Sequence, residues 1–123
     1  MTDSKVPDAQ AGAERAYTLT LAAQAGSTLI MESAGMMASL MAANFESYVI
    51  DNDILGAVQR TVRGIEVNDD TLSYGTIEEV VYGEGHFLGS AQTIERMETD
   101  YFYPIIGDRQ SPAMSSDRSP SYS

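Results

Sequence analysis

The chain has 123 residues, a formal net charge of −11 at pH 7 and no cysteine. That length suits one modest core, and the lack of cysteine excludes a disulfide framework and any thiolate metal site, in keeping with an intracellular compartment. Seven basic residues against 18 acidic ones exclude nucleic acid as a partner, because phosphate binding needs Lys and Arg to neutralise it.

In chain order, Met1 to Val6 is short and polar. Pro7 stands where a helix can begin, and Asp8 suits the positive end of its dipole. Residues 9–25 are rich in Ala and Leu and predict a helix. Ala9, Gly12, Ala13, Ala16, Thr20 and Ala23 form a narrow stripe of small residues on which another element can approach closely. Tyr17 and Leu21 widen that apolar face, and Gly26 ends the helix.

Thr28, Leu29, Ile30 and Met31 then read as a buried strand between Gly26 and Gly35, with Glu32 where the strand ends. Met36, Met37, Leu40 and Met41 recur at helical spacing and are expected as adaptable core filler. Asn44 caps a short helical turn through Tyr48, and Asp51 caps a longer helix. In that helix Ile54, Leu55, Val58, Val62 and Ile65 make one apolar stripe, ended by Gly64.

Asn68, Asp69 and Asp70 open a further helix, with Leu72, Ile77, Val80 and Val81 on its buried side and Glu78 and Glu79 in water. Gly75 within it costs about 1 kcal/mol relative to Ala, so close packing is expected there. Three glycines break the run at residues 83–89. Ser90 caps a last helix over residues 91–100, whose apolar side is Ile94, Met97 and Tyr101. An aromatic patch, Tyr101, Phe102 and Tyr103, precedes Pro104. From Gly107 onward the composition predicts a disordered tail, residues 107–123.

This order holds about one strand among helices. A single strand leaves its backbone donors and acceptors without partners, so its partners are expected outside the chain. No apolar run approaches the roughly 20 residues of a membrane helix, and the N-terminus lacks the order of a secretory signal. A soluble, cytoplasmic protein that engages no membrane is therefore expected.

Few residues carry evident chemistry. The Gly-rich loop lacks a phosphate-binding pattern, follows a helix and carries Glu84. Its His86 is the one imidazole in the chain; beside Phe87 and Leu88 it reads as a satisfied structural residue or, alternatively, as a ligand contact. No second His lies at metal-ligand spacing and the acids are scattered, so no metal site is expected. Glu32 stands at the carboxyl end of the predicted strand, the edge where α/β barrels and open α/β sheets build their sites. The alternative is a carboxylate bonding nearby backbone amides. Asp3 and Lys5, in the polar N-terminal run, occupy the same edge if a strand precedes Met1.

Several stretches together resemble the trimethylamine methyltransferase family. They are the run from Thr2 to Gly12, then Glu32-Ser33-Ala34-Gly35, Val49-Ile50-Asp51, Arg63-Gly64-Ile65-Glu66-Val67 and Gly85-His86-Phe87-Leu88-Gly89. Tyr103-Pro104 and Asp108-Arg109 fit the family's closing region, and the tail after Pro112 departs from it. The resemblance implies an α/β fold, the (β/α)₈ barrel of an enzyme that moves a methyl group from a methylated amine or betaine to a corrinoid protein. A barrel needs at least about 200 residues. Residues 1–106 would therefore be the C-terminal portion of one, mostly helical, with the N-terminal barrel portion as a further partner. Such a fragment is expected to be inactive by itself. The resemblance makes Glu32 and His86 the candidate catalytic residues and Asp3 and Lys5 the candidate substrate-binding residues; the corrinoid belongs to the partner protein, with none assigned to this chain. A small acidic helical protein-binding module without catalytic activity is the competing expectation, and sedimentation with thermal melting separates the two.

Overall fold

A computed structural model describes residues 1–111 of the chain. The described residues form four helices and one small hairpin: α1 (Ala9–Gln24), β1 (Met36–Met37), β2 (Ala42–Ala43), α2 (Phe45–Arg63), α3 (Tyr74–Tyr82) and α4 (Ala91–Asp100). Among the described residues no helix is long and apolar enough to cross a membrane. The expected tail lies, from residue 112 on, outside the described residues.

Local sequence explains the helix ends. Asp8 is the N-cap of α1, its carboxylate accepting the Ala11 amide at 2.9 Å, so it stands just outside the first turn in which its charge was expected. The Ala11 amide and then the Ser4 hydroxyl hold its carboxyl below the usual range. Asn44 caps α2 by accepting the Ser47 amide, and Ser90 caps α4 by accepting the Thr93 amide. Because Asn44 already starts α2, the chain runs through to Arg63 without a break. Asp51, expected as a second cap, lies inside that helix and is fully buried.

The extensive helix–helix contact among the described elements is α1 on α2. α1 buries Ala11, Arg15 and Leu19, a four-residue repeat on a different face from the expected stripe, of which Ala9, Ala13 and Ala16 are exposed. α2 buries Ser47, Asp51 and Val58. The expected stripe holds at Ile54, Leu55 and Val58 but ends in solvent, with Val62 and Ile65 exposed.

Residues 28–31 form no strand. They run as irregular chain, and among the described residues their backbone makes no hydrogen bond to another segment. Leu29 and Met31 are 76% and 75% exposed. The β-structure lies instead in the Met-rich stretch expected to be helical. β1 and β2 pair antiparallel, Met36 opposite Ala43 and Met37 opposite Ala42. Ala38, Ser39 and Leu40 between them take left-handed φ values of 48°, 53° and 75°, which no α-helix accommodates. Met37 is buried, its sulfur accepting the Ser47 hydroxyl at 3.2 Å. The helix expected from Asn68 starts only at Tyr74, after turns at 68–73, and Gly75 has open space around it instead of a close neighbour.

Beyond α4 the chain folds back as a strap over α2. The Phe102 ring lies on Gly56, where a Cβ would overlap it, and the Tyr103 hydroxyl donates to the Met97 carbonyl at 2.9 Å. Asp53 accepts the amides of Ile105 at 3.1 Å and Ile106 at 2.6 Å. The Ile106 and then the Ile105 amide hold its carboxyl below the usual range. A depressed folded pKa adds stability that is fully present above the ordinary aspartate value of about 3.9 and is lost as pH falls through the lower folded value. Hydrogen exchange at the Ile105 and Ile106 amides, taken relative to the intrinsic rate of each amide, should therefore accelerate on acidification through that window. Asp53→Asn should raise it at neutral pH as well; equal protection in the variant at neutral pH would show that the carboxylate does not hold the strap.

Candidate functional site

The N-terminal run lies beside the hairpin and is ordered by it. The amide of Ala38 donates to the Ser4 carbonyl at 2.9 Å and that of Ser39 to the Thr2 carbonyl at 3.1 Å. Burial then alternates as in an extended segment: Thr2 and Ser4 are buried, Asp3 and Lys5 exposed. The Thr2 hydroxyl and the Asp3 amide both donate to Glu14 Oε2, at 2.6 and 2.9 Å. The Thr2 hydroxyl, with Gln10 and the Asp3 amide behind it, holds the Glu14 carboxyl below its usual range. Outside, Asp3 accepts the Ser39 hydroxyl and the Lys5 ammonium donates to the Asp3 carbonyl at 2.6 Å. Asp3 and Lys5 thus sit together on a solvent-facing edge, beside the hairpin turn whose left-handed residues, Ala38, Ser39 and Leu40, mark stored backbone strain.

Beneath that edge lies a buried ion pair. Arg15 Nη1 donates to Asp51 Oδ1 at 2.9 Å and Nη2 to the Met36 carbonyl at 2.8 Å. The second Asp51 oxygen accepts the Gly35 amide at 2.7 Å. Arg15 is 1% and Asp51 0% exposed. The pair joins α1, α2 and the entry to β1, fixing the chain two residues after Ser33. Arg15 Nε is buried without a partner among the described residues. Sequence reading passed over Arg15 and took Asp51 for a helix cap; the available signal was the single cation of α1, set four residues from Ala11 and from Leu19.

Glu32 occupies the turn leading into this hairpin, exposed, at a left-handed φ of 53°. It is not at a strand end, because the strand is absent, and no hydrogen bond or ion pair engages its carboxylate among the described residues. His86 lies elsewhere, in the loop between α3 and α4, mostly exposed, with Nε2 3.6 Å from a Glu84 oxygen. It borders a cavity of about 510 Å³ that Glu79 and Gln92 also line. The structure brings Asp3 and Lys5 together beside the hairpin that Glu32 precedes, and places His86 in a separate cleft. Among the described residues no group of three or more His, Cys, Asp or Glu could hold a metal ion.

The sequence model of the trimethylamine methyltransferase (MTTB) family matches residues 1–117. The chain belongs to that family. It is 41% identical over 110 residues to trimethylamine methyltransferase MttB of Methanosarcina thermophila, a match covering 89% of this chain and 22% of the relative. It is 32% identical over 109 residues to glycine betaine methyltransferase of Desulfitobacterium hafniense (strain Y51), covering 89% and 22%. Trimethylamine methyltransferase MttB2 of Methanosarcina mazei is 41% identical over 110 residues, covering 89% and 21%. The chain therefore spans about a fifth of the length of the curated relatives it matches.

Proposed function

We propose that this chain forms the C-terminal portion, residues 1–106, of a (β/α)₈ methyltransferase that takes a methyl group from a methylated amine or betaine and delivers it to the corrinoid of a partner protein. The observation that carries the reading is a family match over residues 1–117 in a chain spanning 22% of the length of two of its relatives. The stretch at residues 28–31 supports it, since its backbone makes no hydrogen bond to another segment among the described residues and its Leu29 and Met31 are exposed, as suits a segment that a neighbouring element completes. So do the apolar faces in water: Tyr74, Ile77 and Val81 along α3, and Ile94 and Met97 along α4, are all exposed.

The chemistry asks two things of the protein. The substrate nitrogen must stay cationic so that the amine can leave, and the methyl must point at its acceptor in a reactive geometry. A carboxylate near the ammonium serves the first. Glu32, in the turn leading into the hairpin and without a hydrogen bond or ion pair among the described residues, is the residue we assign to supply it. Asp3 adds a second carboxylate on the adjacent edge, and the Lys5 ammonium there can receive the carboxylate of a betaine. His86, in its own cleft, would act on the substrate only through the polypeptide that completes the barrel.

The chain by itself should not demethylate trimethylamine or glycine betaine in the presence of a corrinoid acceptor protein. Supplying the remaining four-fifths of a family member should restore turnover, and Glu32→Gln should then lower kcat/KM about 100-fold, the scale of losing one transition-state electrostatic contact. Turnover by the chain alone would overturn the fragment reading, and an unaltered kcat/KM in the Gln variant would remove Glu32 from the site.

A further inference from the structure

Three of the seven basic residues of this acidic chain meet at one cavity. Arg60 and Arg63 come from the last turn of α2 and Arg96 from α4; with Glu66, Glu95 and Asp100 they line a space of about 630 Å³, within the range of small-molecule sites. Their partners are unequal. Arg96 pairs with Asp70, and its Nη1 lies 3.9 Å from Asp100 Oδ2. Arg63 shares that same Asp100 carboxylate at 3.4 Å and donates to the Thr99 carbonyl at 3.1 Å. Arg60, half-buried, donates only to backbone carbonyls, those of Asp100 and of Gly64. Among the described residues no carboxylate stands within ion-pair reach of it. The carboxylates of Asp70 and Asp100 thus pair with Arg96 and Arg63, and the half-buried Arg60 is left without an ion-pair partner among the described residues. A partly desolvated cation calls for an anion.

The geometry points to a binding site for a small singly charged carboxylate, seated against Arg60 and Arg63. Arg60 Nη2 and Arg63 Nε and Nη1 make no hydrogen bond to the described residues, so donors remain for a charge-assisted pair of oxygens. Glu66 and Glu95 on the wall set the charge of the guest. The lining carries three arginines against the carboxylates of Glu66, Glu95 and Asp100, so only a guest of low charge can use the Arg60 and Arg63 donors, whereas a doubly charged phosphate would meet stronger repulsion from Glu66 and Glu95. Ile65 supplies the aliphatic surface for a short hydrocarbon body. This site is independent of the methyl-transfer reading and stands or falls without it.

The test is a titration of the full chain with sodium acetate and with inorganic phosphate, at constant ionic strength set by sodium chloride, following the backbone amide shifts of Gly64, Ile65 and Thr99. Acetate should give saturable shifts, phosphate weaker ones, and Arg60→Gln should raise the acetate Kd at least tenfold. Shifts that rise linearly without saturation, or an unchanged Kd in the variant, would overturn the site; tighter binding of phosphate would overturn the carboxylate class. Should Arg60→Gln lose the amide pattern of α2, the more exposed Arg63→Gln carries the same expectation and the same reversal. None of these readouts depends on methyl transfer, so their failure leaves the enzymatic proposal untouched.

Discussion

Asp51→Ala should lower the stability of the chain by about 3–5 kcal/mol, the cost of stranding a buried charge by removing its partner. The Asp51 carboxylate answers the Arg15 guanidinium with one oxygen and the Gly35 amide with the other. Its loss therefore leaves a cation and a donor in a site that water does not reach, Arg15 being 1% exposed. Small domains are stable by only about 5–15 kcal/mol, so the variant should unfold over much lower urea, as read by circular dichroism. The double replacement Arg15→Met with Asp51→Leu should recover most of the loss. It removes the charge together with its counter-charge, and with them the Nε donor that is buried without a partner. A single variant that melts within about 0.5 kcal/mol of the parent, the usual scale of surface changes, would show that the pair does not hold α1, α2 and the hairpin together.

Gly35→Ala should cost about 2–4 kcal/mol, through two separable effects. Gly35 has a φ of 77°, a left-handed conformation that costs other residues about 1–2 kcal/mol. A Cβ built there would also overlap the Tyr48 ring, and overpacking of this kind costs about 1–3 kcal/mol. The glycine cannot move away cheaply, because its amide donates to Asp51 and its carbonyl accepts the Asn44 amide at 3.1 Å. Adding Tyr48→Ala to Gly35→Ala should return the steric part and leave the conformational part, measured as the coupling in a double-mutant cycle. Simple additivity of the two changes would show that the ring does not press on residue 35.

These positions also show how far the sequence could be read. The start of α2 was legible at Asn44, and α4 from its Ser90 cap to Asp100, since a side-chain oxygen three residues ahead of an unpaired amide is a local signal. The Met-rich stretch was not. Met36, Met37, Leu40 and Met41 fit helical spacing as sequence, yet β1 and β2 form because the Ala38 and Ser39 amides meet carbonyls of the N-terminal run and Met37 meets Ser47. Those partners lie 34 or more residues away in one case and ten in the other, beyond any local pattern. The candidate site divides the same way. Asp3 and Lys5 were identifiable as polar residues of a resembling motif, whereas the alternation that turns both outward comes from contact with the hairpin.

The amino-acid order by itself determined the family, the acidic surface and most helical segments, because composition, caps and motif residues act over a few positions. Tertiary structure alone decided that Asp51 is a buried counter-ion and not a cap, that Arg15 belongs to the interior face of α1, and that residues 28–31 form no strand and pair with no other segment among the described residues. Each of those outcomes turns on whether a distant group arrives to neutralise a charge or complete a hydrogen bond, and the energy of that arrival exceeds any local preference.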